Sequence, residues 1–436
     1  MRFKFATLRV SCAAALALFA AGAAQAASPP EMLARGEYLA RAANCVSCHS
    51  TPEGEPFAGG LKMAVPYLGA IYATNITPDK EHGIGNYTFE DFEGAMRRGV
   101  AKDGHMLYPA MPYPSYAKIT EEDLRALYAF FMESVPAANV PNLPSEIKEP
   151  FNWRWPLKIW NAIFLPEPGY TPDGSKDAKW NRGAYLIEGL GHCGACHTPR
   201  GLLFQEKGYA AADDDFLTGA ELDNWFASNL RSDPLAGLGR WSQADTAQFL
   251  KTGHNQFSSA FGTMIEVINN STHHLTDEDA DAMAAYLKSL PAIGNPNVTY
   301  TYDQKTTDAL RSGTFATSGE RLYVQHCAAC HGHDGRGHPP YLPPIAGNPT
   351  TVDDNAVSLV NVTLNGSARI VVQGMPDAYR MPQFRVLLND HEIADVITFM
   401  RRGWGHAAAA VTSEQVKKVR DVTNPASEDV VILRMR

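Results

Sequence analysis

Cys45-Val46-Ser47-Cys48-His49, Cys193-Gly194-Ala195-Cys196-His197 and Cys327-Ala328-Ala329-Cys330-His331 are three copies of one pattern, and they decide how the chain is read. Two thiols separated by two residues sit on one helical turn and reach a single porphyrin edge, where they form thioethers with its two vinyl groups. The histidine that follows meets the iron. A zinc site needs two such pairs close together, and here 148 and 134 residues separate successive pairs. A thioredoxin-type redox pair does not require a histidine after every second cysteine. The pattern predicts three covalently bound haem c groups, held by Cys45, Cys48, Cys193, Cys196, Cys327 and Cys330, with His49, His197 and His331 on the iron atoms.

The remaining cysteine, Cys12, lies in residues 1–26, which read as an export signal: Arg2, Lys4 and Arg9, then a short Ala-rich apolar run, then Ala24-Gln25-Ala26. The run is too short for a spanning helix, and no later stretch is long and apolar enough. Removing the segment leaves six cysteines, all inside the motifs, so no disulfide framework is expected. The formal charge of −9 becomes −12 on removal, which argues against nucleic acid as a partner, since a phosphate backbone needs a basic footprint.

A haem devoted to electron transfer takes a sixth ligand, and methionine supplies it in high-potential cytochromes c. The candidates are Met111 in Tyr108-Pro109-Ala110-Met111-Pro112, Met264 in Phe261-Gly262-Thr263-Met264, and Met381 in Met381-Pro382-Gln383-Phe384. Each lies in a loop ahead of an acidic helix start, 62, 67 and 50 residues after its motif histidine. Met106 and Met375 are rivals in the same loops. Met96, Met132, Met283 and Met400 fall within helical patterns and read as core. His273, His274, His333 and His338 read as ordinary loop residues.

The expected architecture is mainly α, with three tandem class I-like cytochrome c domains joined by linkers. Domain one covers 27–139, a Trp- and Pro-rich linker 140–179, domain two 180–290, a polar linker 291–317, domain three 318–404, and a tail 405–436. Each motif follows a helix with a glycine suited to close helix contact: Gly36, Gly183 and Gly319. Each domain closes on an amphipathic helix, with stripes Leu124/Leu127/Tyr128/Phe131, Ala280/Met283/Ala284/Leu287 and Ile393/Val396/Ile397/Met400. Units one and two also match at an offset of 154, as in Tyr72-Ala73-Thr74-Asn75-Ile76 against Phe226-Ala227-Ser228-Asn229-Leu230. This marks a duplication, with unit three a more distant relative. In unit three, Leu342-Pro343-Pro344 offers carbonyls to orient His331. The aromatic linker, with Trp153, Trp155 and Trp160, is expected to pack between the first two units, the alternative being a surface for a partner, membrane or quinone. Val430-Val431-Ile432-Leu433 reads as a strand.

These stretches, with Arg35-Gly36-Glu37-Tyr38-Leu39, Thr74-Asn75-Ile76-Thr77-Pro78-Asp79 and Gly237-Leu238-Gly239-Arg240-Trp241-Ser242, resemble the tri-haem cytochrome c subunits of bacterial periplasmic, membrane-associated dehydrogenases. That family serves flavin-dependent gluconate, sugar and polyol dehydrogenases and quinohaemoprotein alcohol dehydrogenases. The resemblance implies Met111, Met264 and Met381 as sixth ligands, a separate catalytic subunit, ubiquinone as acceptor, and peripheral attachment to the periplasmic face of the cytoplasmic membrane. No nucleophile–base set, phosphate loop or dinucleotide fingerprint is present, so the chain is expected to be an electron carrier and not itself an enzyme. The opposing readings are a peroxidase-type multihaem enzyme with one open iron and an oxidase-associated cytochrome.

Overall fold

The structure, a computed structural model, describes residues 27–65, 68–293, 297–368, 370–372 and 379–424. The expected export segment, Met375 and the strand expected at 430–433 lie outside the described residues.

Unit one runs α1 (Pro30–Ala42), the motif turn α2 (Cys45–Cys48), the hairpin β1 (Lys62–Val65) and β2 (Gly69–Tyr72), then α3 (Phe89–Arg98), α4 (Tyr113–Tyr116) and α5 (Glu121–Ala129). The aromatic linker holds α6 (Pro156–Phe164). Unit two repeats the order as α7 (Ala178–Tyr185), α8 (Gly194–His197), the hairpin β3 (Ala220–Leu222) and β4 (Trp225–Ala227), α9 (Gln243–Thr252), α10 (Met264–Asn270) and α11 (Asp277–Ser289). Both hairpins are antiparallel, pairing Lys62 with Tyr72 and Ala220 with Ala227.

The duplication reaches the helix ends. Thr88 and Ser242 cap α3 and α9 with reciprocal bonds to Asp91 and Asp245, and the two helices stop at left-handed Gly99 and Gly253. Each of these pairs keeps the offset of 154. Unit three has no hairpin among its described residues.

After α12 (Gln304–Ser312), unit three comprises α13 (Ser318–His326), α14 (Ala328–His331), α15 (Pro349–Val352), α16 (Val357–Asn365) and α17 (Asp390–Met400), followed by α18 (Ser413–Val422). The polar stretch 291–317 and the tail are thus more than connectors. Leu310 of α12 and Val416 and Val419 of α18 are buried in the unit-three core, and Arg420 donates to Asp390 at 2.6 Å. Polar composition hides these two helices, because each presents only a narrow apolar stripe.

In every unit the helix before the motif crosses the closing helix at a glycine. A Cβ on Gly36, Gly183 or Gly319 would overlap the carbonyl oxygen of Ala126, Ala282 or Asp395. The closing helices start at Thr120, Thr276 and Asn389, whose side chains accept backbone N–H groups of the first turn. The expected stripes face inward: Leu124, Leu127, Met283, Leu287, Ile393 and Ile397 are all buried.

One hydrophobic core spans units one and two, from Leu39 to Leu290, while unit three has its own. Across the shared core the two units exchange tyrosines. Asp123 takes Arg35 from its own unit at 2.6 Å and the Tyr185 hydroxyl from unit two at 2.5 Å. Asp279 takes Arg182 from its own unit at 2.7 Å and the Tyr38 hydroxyl from unit one at 2.5 Å. Both carboxylates are buried and fully paired, as buried charge requires. Lys118 of unit one adds a buried ion pair to Glu188 of unit two at 2.6 Å.

Candidate haem-binding sites

Each motif makes one helical turn downstream of α1, α7 or α13, the helix after α7 continuing through Leu186–Leu190 first, and the turn brings its two cysteines and its histidine onto a single ridge. The three histidines share one arrangement. Nδ1 of His49 lies 2.7 Å from the Thr74 carbonyl, Nδ1 of His197 2.7 Å from the Ser228 carbonyl, and Nδ1 of His331 2.9 Å from the Pro343 carbonyl. A carbonyl only accepts, so Nδ1 carries the proton and Nε2 keeps the lone pair that an iron needs.

Pro343 falls within the wall expected from the sequence. Thr74 and Ser228 take the same role without any sign of it in their side chains, although they are equivalent positions of the repeated block. A side-chain pattern does not advertise a backbone acceptor; the repetition itself is the available signal.

In unit two a single cavity brings together Cys193, Cys196, His197 and Met264, with a volume of about 1690 Å³ including its open mouth. Its walls are apolar and aromatic, among them Leu186, Leu230, Trp241, Phe249 and Met283. An apolar slot carrying two thiols, an imidazole and a thioether is the donor set and the surface that a covalently held haem requires. Met264 opens α10, and the far end of that helix reaches the unit-one motif, where Asn270 donates to the Ser47 hydroxyl at 2.8 Å.

Met111 sits in the turn before α4 and packs on the shared core, which Cys45 also borders. Met106 is buried, and its backbone bridges Val100. Met381 exchanges backbone and hydroxyl hydrogen bonds with Ser367 and packs on the unit-three core, which Cys327 also borders. Met96, Met283 and Met400 are buried core residues, and Met132 packs partly buried against the core. His273 and His274 occupy a short turn with their rings 3.6 Å apart.

Burial pushes the thiols of Cys45, Cys193, Cys196 and Cys327 up to about 12. A disulfide-exchange pair needs the opposite, a depressed thiol. Burial also lowers His49, His197 and His331, which keeps their rings neutral.

Glu206, beside the second motif, is a group the sequence does not single out. Burial pushes its carboxyl up to about 7, against the pull of Arg200 and Lys118, and one of its oxygens has no partner. The folded chain therefore holds this proton to higher pH than the unfolded chain does, so Glu206 costs stability as pH rises from the ordinary carboxyl range to about 7. Glu206→Gln should melt a few degrees above the parent at pH 8 and close to it at pH 5, as followed by circular dichroism of the haem-loaded protein.

The aromatic linker divides. Trp160 is buried, meets the Tyr113 ring edge to face and donates to the Leu203 carbonyl at 2.9 Å, so it packs between the first two units as expected. Trp153 and Trp155 are exposed. Unit two also touches unit three: the Phe226 backbone exchanges hydrogen bonds with the Ser358 hydroxyl at 2.7 and 3.0 Å, and Asn361 donates to the Asn224 carbonyl at 2.8 Å.

This geometry is that of a cytochrome c, and the cytochrome c family model matches residues 33–134 and 316–404. The chain is 46% identical over 428 residues to the cytochrome c subunit of alcohol dehydrogenase (quinone) from Gluconacetobacter polyoxogenes, covering 96% of this chain and 91% of that one. It is 48% identical over 397 residues to the gluconate 2-dehydrogenase cytochrome c subunit of Pantoea cypripedii, covering 89% of each. It is 38% identical over 411 residues to the fructose dehydrogenase cytochrome subunit of Gluconobacter japonicus, covering 89% of this chain and 82% of that one. The chain belongs to this family of dehydrogenase cytochrome c subunits, which transfer electrons and are not themselves the catalytic subunits.

Proposed function

We propose that this chain is a tri-haem relay that takes electrons from the catalytic subunit of a dehydrogenase and passes them to ubiquinone, on the periplasmic side of the cytoplasmic membrane. The carrying observation is the threefold repetition of a paired-cysteine turn whose histidine is held through Nδ1 by a backbone carbonyl. Haem c supplies a one-electron couple when bound; the protein sets its potential through burial and hydrogen bonding. His49 with Met111, His197 with Met264 and His331 with Met381 would hold the irons, and with both ligands in place no position would remain for a substrate. Unit two touches both neighbours, which supports a place for it in the middle of the relay. The names of the relatives support a dehydrogenase partner acting on an alcohol, a sugar or a sugar acid, and the family resemblance implies that it is a flavin or quinone enzyme. Residues 1–26 provide export. Among the described residues no helix is long and apolar enough to cross a membrane, which fits peripheral attachment.

Carbon monoxide titration of the reduced protein tests the ligation. The parent protein should bind none tightly, and Met264→Ala should bind one equivalent per chain. Strong binding at one haem in the parent protein would overturn the relay reading in favour of an enzyme with an open iron.

A further inference from the structure

Helix α6 turns its apolar side chains the wrong way for a core element. Ile159 and Ile163, one turn apart, point outward and are more than half exposed, as are Trp153 and Trp155 just before the helix. Beside them, the loop after the second motif lifts Leu202 and Phe204 out of the surface at 98% and 69% exposure. The two segments form one body, because Trp160 donates to the Leu203 carbonyl at 2.9 Å. Nor can α6 roll to hide its outer face: Asn161 donates to the Arg98 carbonyl and accepts from the Tyr113 hydroxyl, both at 2.8 Å. A contiguous exposed apolar ridge on a water-soluble surface marks a contact with something else.

We propose that this ridge is the face by which the chain lies on an anionic phospholipid bilayer. The inference rests on the peripheral membrane attachment proposed above and names its contact. Two features favour lipid over protein. Side chains more than half exposed along a helix flank, with Leu202 almost wholly clear at a loop tip, suit insertion into a fluid layer, whereas a protein partner would have to supply a matching socket for each. The charge is also complementary. Residues 148–164 contain Lys148, Arg154 and Lys158 against Glu149, a positive stretch on a chain of net −9, in which Lys148 and Lys158 are exposed while Arg154 lies over the Tyr108 ring and donates to the Met106 carbonyl. Tryptophan with flanking lysine and arginine is the composition of the bilayer interface, and anionic headgroups attract the basic side chains.

The test is sedimentation of the full haem-loaded protein with vesicles of equal phosphatidylglycerol and phosphatidylethanolamine. Three paired variants are compared: Ile159→Ser with Ile163→Ser, Leu202→Ser with Phe204→Ser, and, as a control, Val386→Ser with Leu387→Ser on an exposed apolar pair of unit three. The parent protein and the control should partition alike, more weakly on phosphatidylcholine and at high salt, and each ridge pair should cut partitioning by about tenfold or more. The two ridge pairs lie in separate segments, so a folding defect in one, seen in the haem spectrum, leaves the other to decide. Parent and ridge variants binding equally would overturn the ridge while leaving membrane attachment intact. A parent protein that ignores every vesicle would overturn the attachment itself. Ridge variants that keep vesicle binding but lose the dehydrogenase subunit would assign the face to protein and overturn the proposal.

Discussion

Cys193→Ser combined with Cys196→Ser is expected to lower covalent haem from three groups per chain to two, counted as pyridine haemochrome against protein. No other cysteine can substitute, because beyond residue 26 every thiol lies in one of three widely separated turns. The loss should reach beyond stoichiometry. The cavity around His197 is walled by its own unit, by Ala42 and Asn44 of unit one, and by Pro349 and Ser358 of unit three. Emptying it removes apolar contact from all three, and an unfilled apolar space is costly. The matching pair Cys327→Ser with Cys330→Ser should also remove one haem, but with the damage concentrated in the separate core of unit three.

Gly183→Ala is the second large effect, although it touches no cofactor ligand. The new Cβ would overlap the Ala282 carbonyl oxygen and lie 2.8 Å from the Tyr286 Cβ. Neither can yield cheaply. Ala282 is in the interior of α11, and Tyr286 is buried with its hydroxyl on Glu188, itself paired with Lys118. The helices must separate, breaking the Asp279 cluster with them. A cost of about 3 kcal/mol or more is expected, which for a body of this size lowers the melting midpoint by roughly 10 °C. Gly189→Ala is the control. Its Cβ would meet Lys118 Cβ at 3.5 Å, an ordinary contact, and since alanine is favoured over glycine in helical backbone the change should leave stability unchanged or raise it by up to about 1 kcal/mol.

The glycines at the helix crossings also show how far the residues speak for themselves. Gly36, Gly183 and Gly319 precede their motifs at similar distances, so the close helix crossing is legible from spacing alone. So are the caps at Thr120 and Thr276, because a capping residue and its acidic first turn are adjacent in sequence. The thiol and imidazole positions follow from covalent chemistry, which fixes spacing tightly.

Relations between distant residues are what the sequence conceals. Tyr38 and Tyr185 look like aromatic packing residues until each is found across the unit boundary on the other unit's aspartate. The Thr74 and Ser228 carbonyls belong to the backbone and leave no compositional trace. Glu206 reads as a surface acid until its loop folds it against the second motif. The helices α12 and α18 read as linker and tail because a mostly polar helix declares itself only once a neighbour covers its stripe.

The exchanged tyrosines carry one more consequence, for cooperativity. Units one and two share a single core and answer each other's buried carboxylates, so neither can melt and leave its neighbour intact: freeing either one opens the shared core and takes a tyrosine hydroxyl from the other's buried aspartate. The chain thus has three haem turns but two cooperative blocks. A lesion anywhere between Leu39 and Leu290 is felt by both of the first two motif turns together, whereas damage confined to the core of unit three reaches them only through the unit-three wall of the His197 cavity.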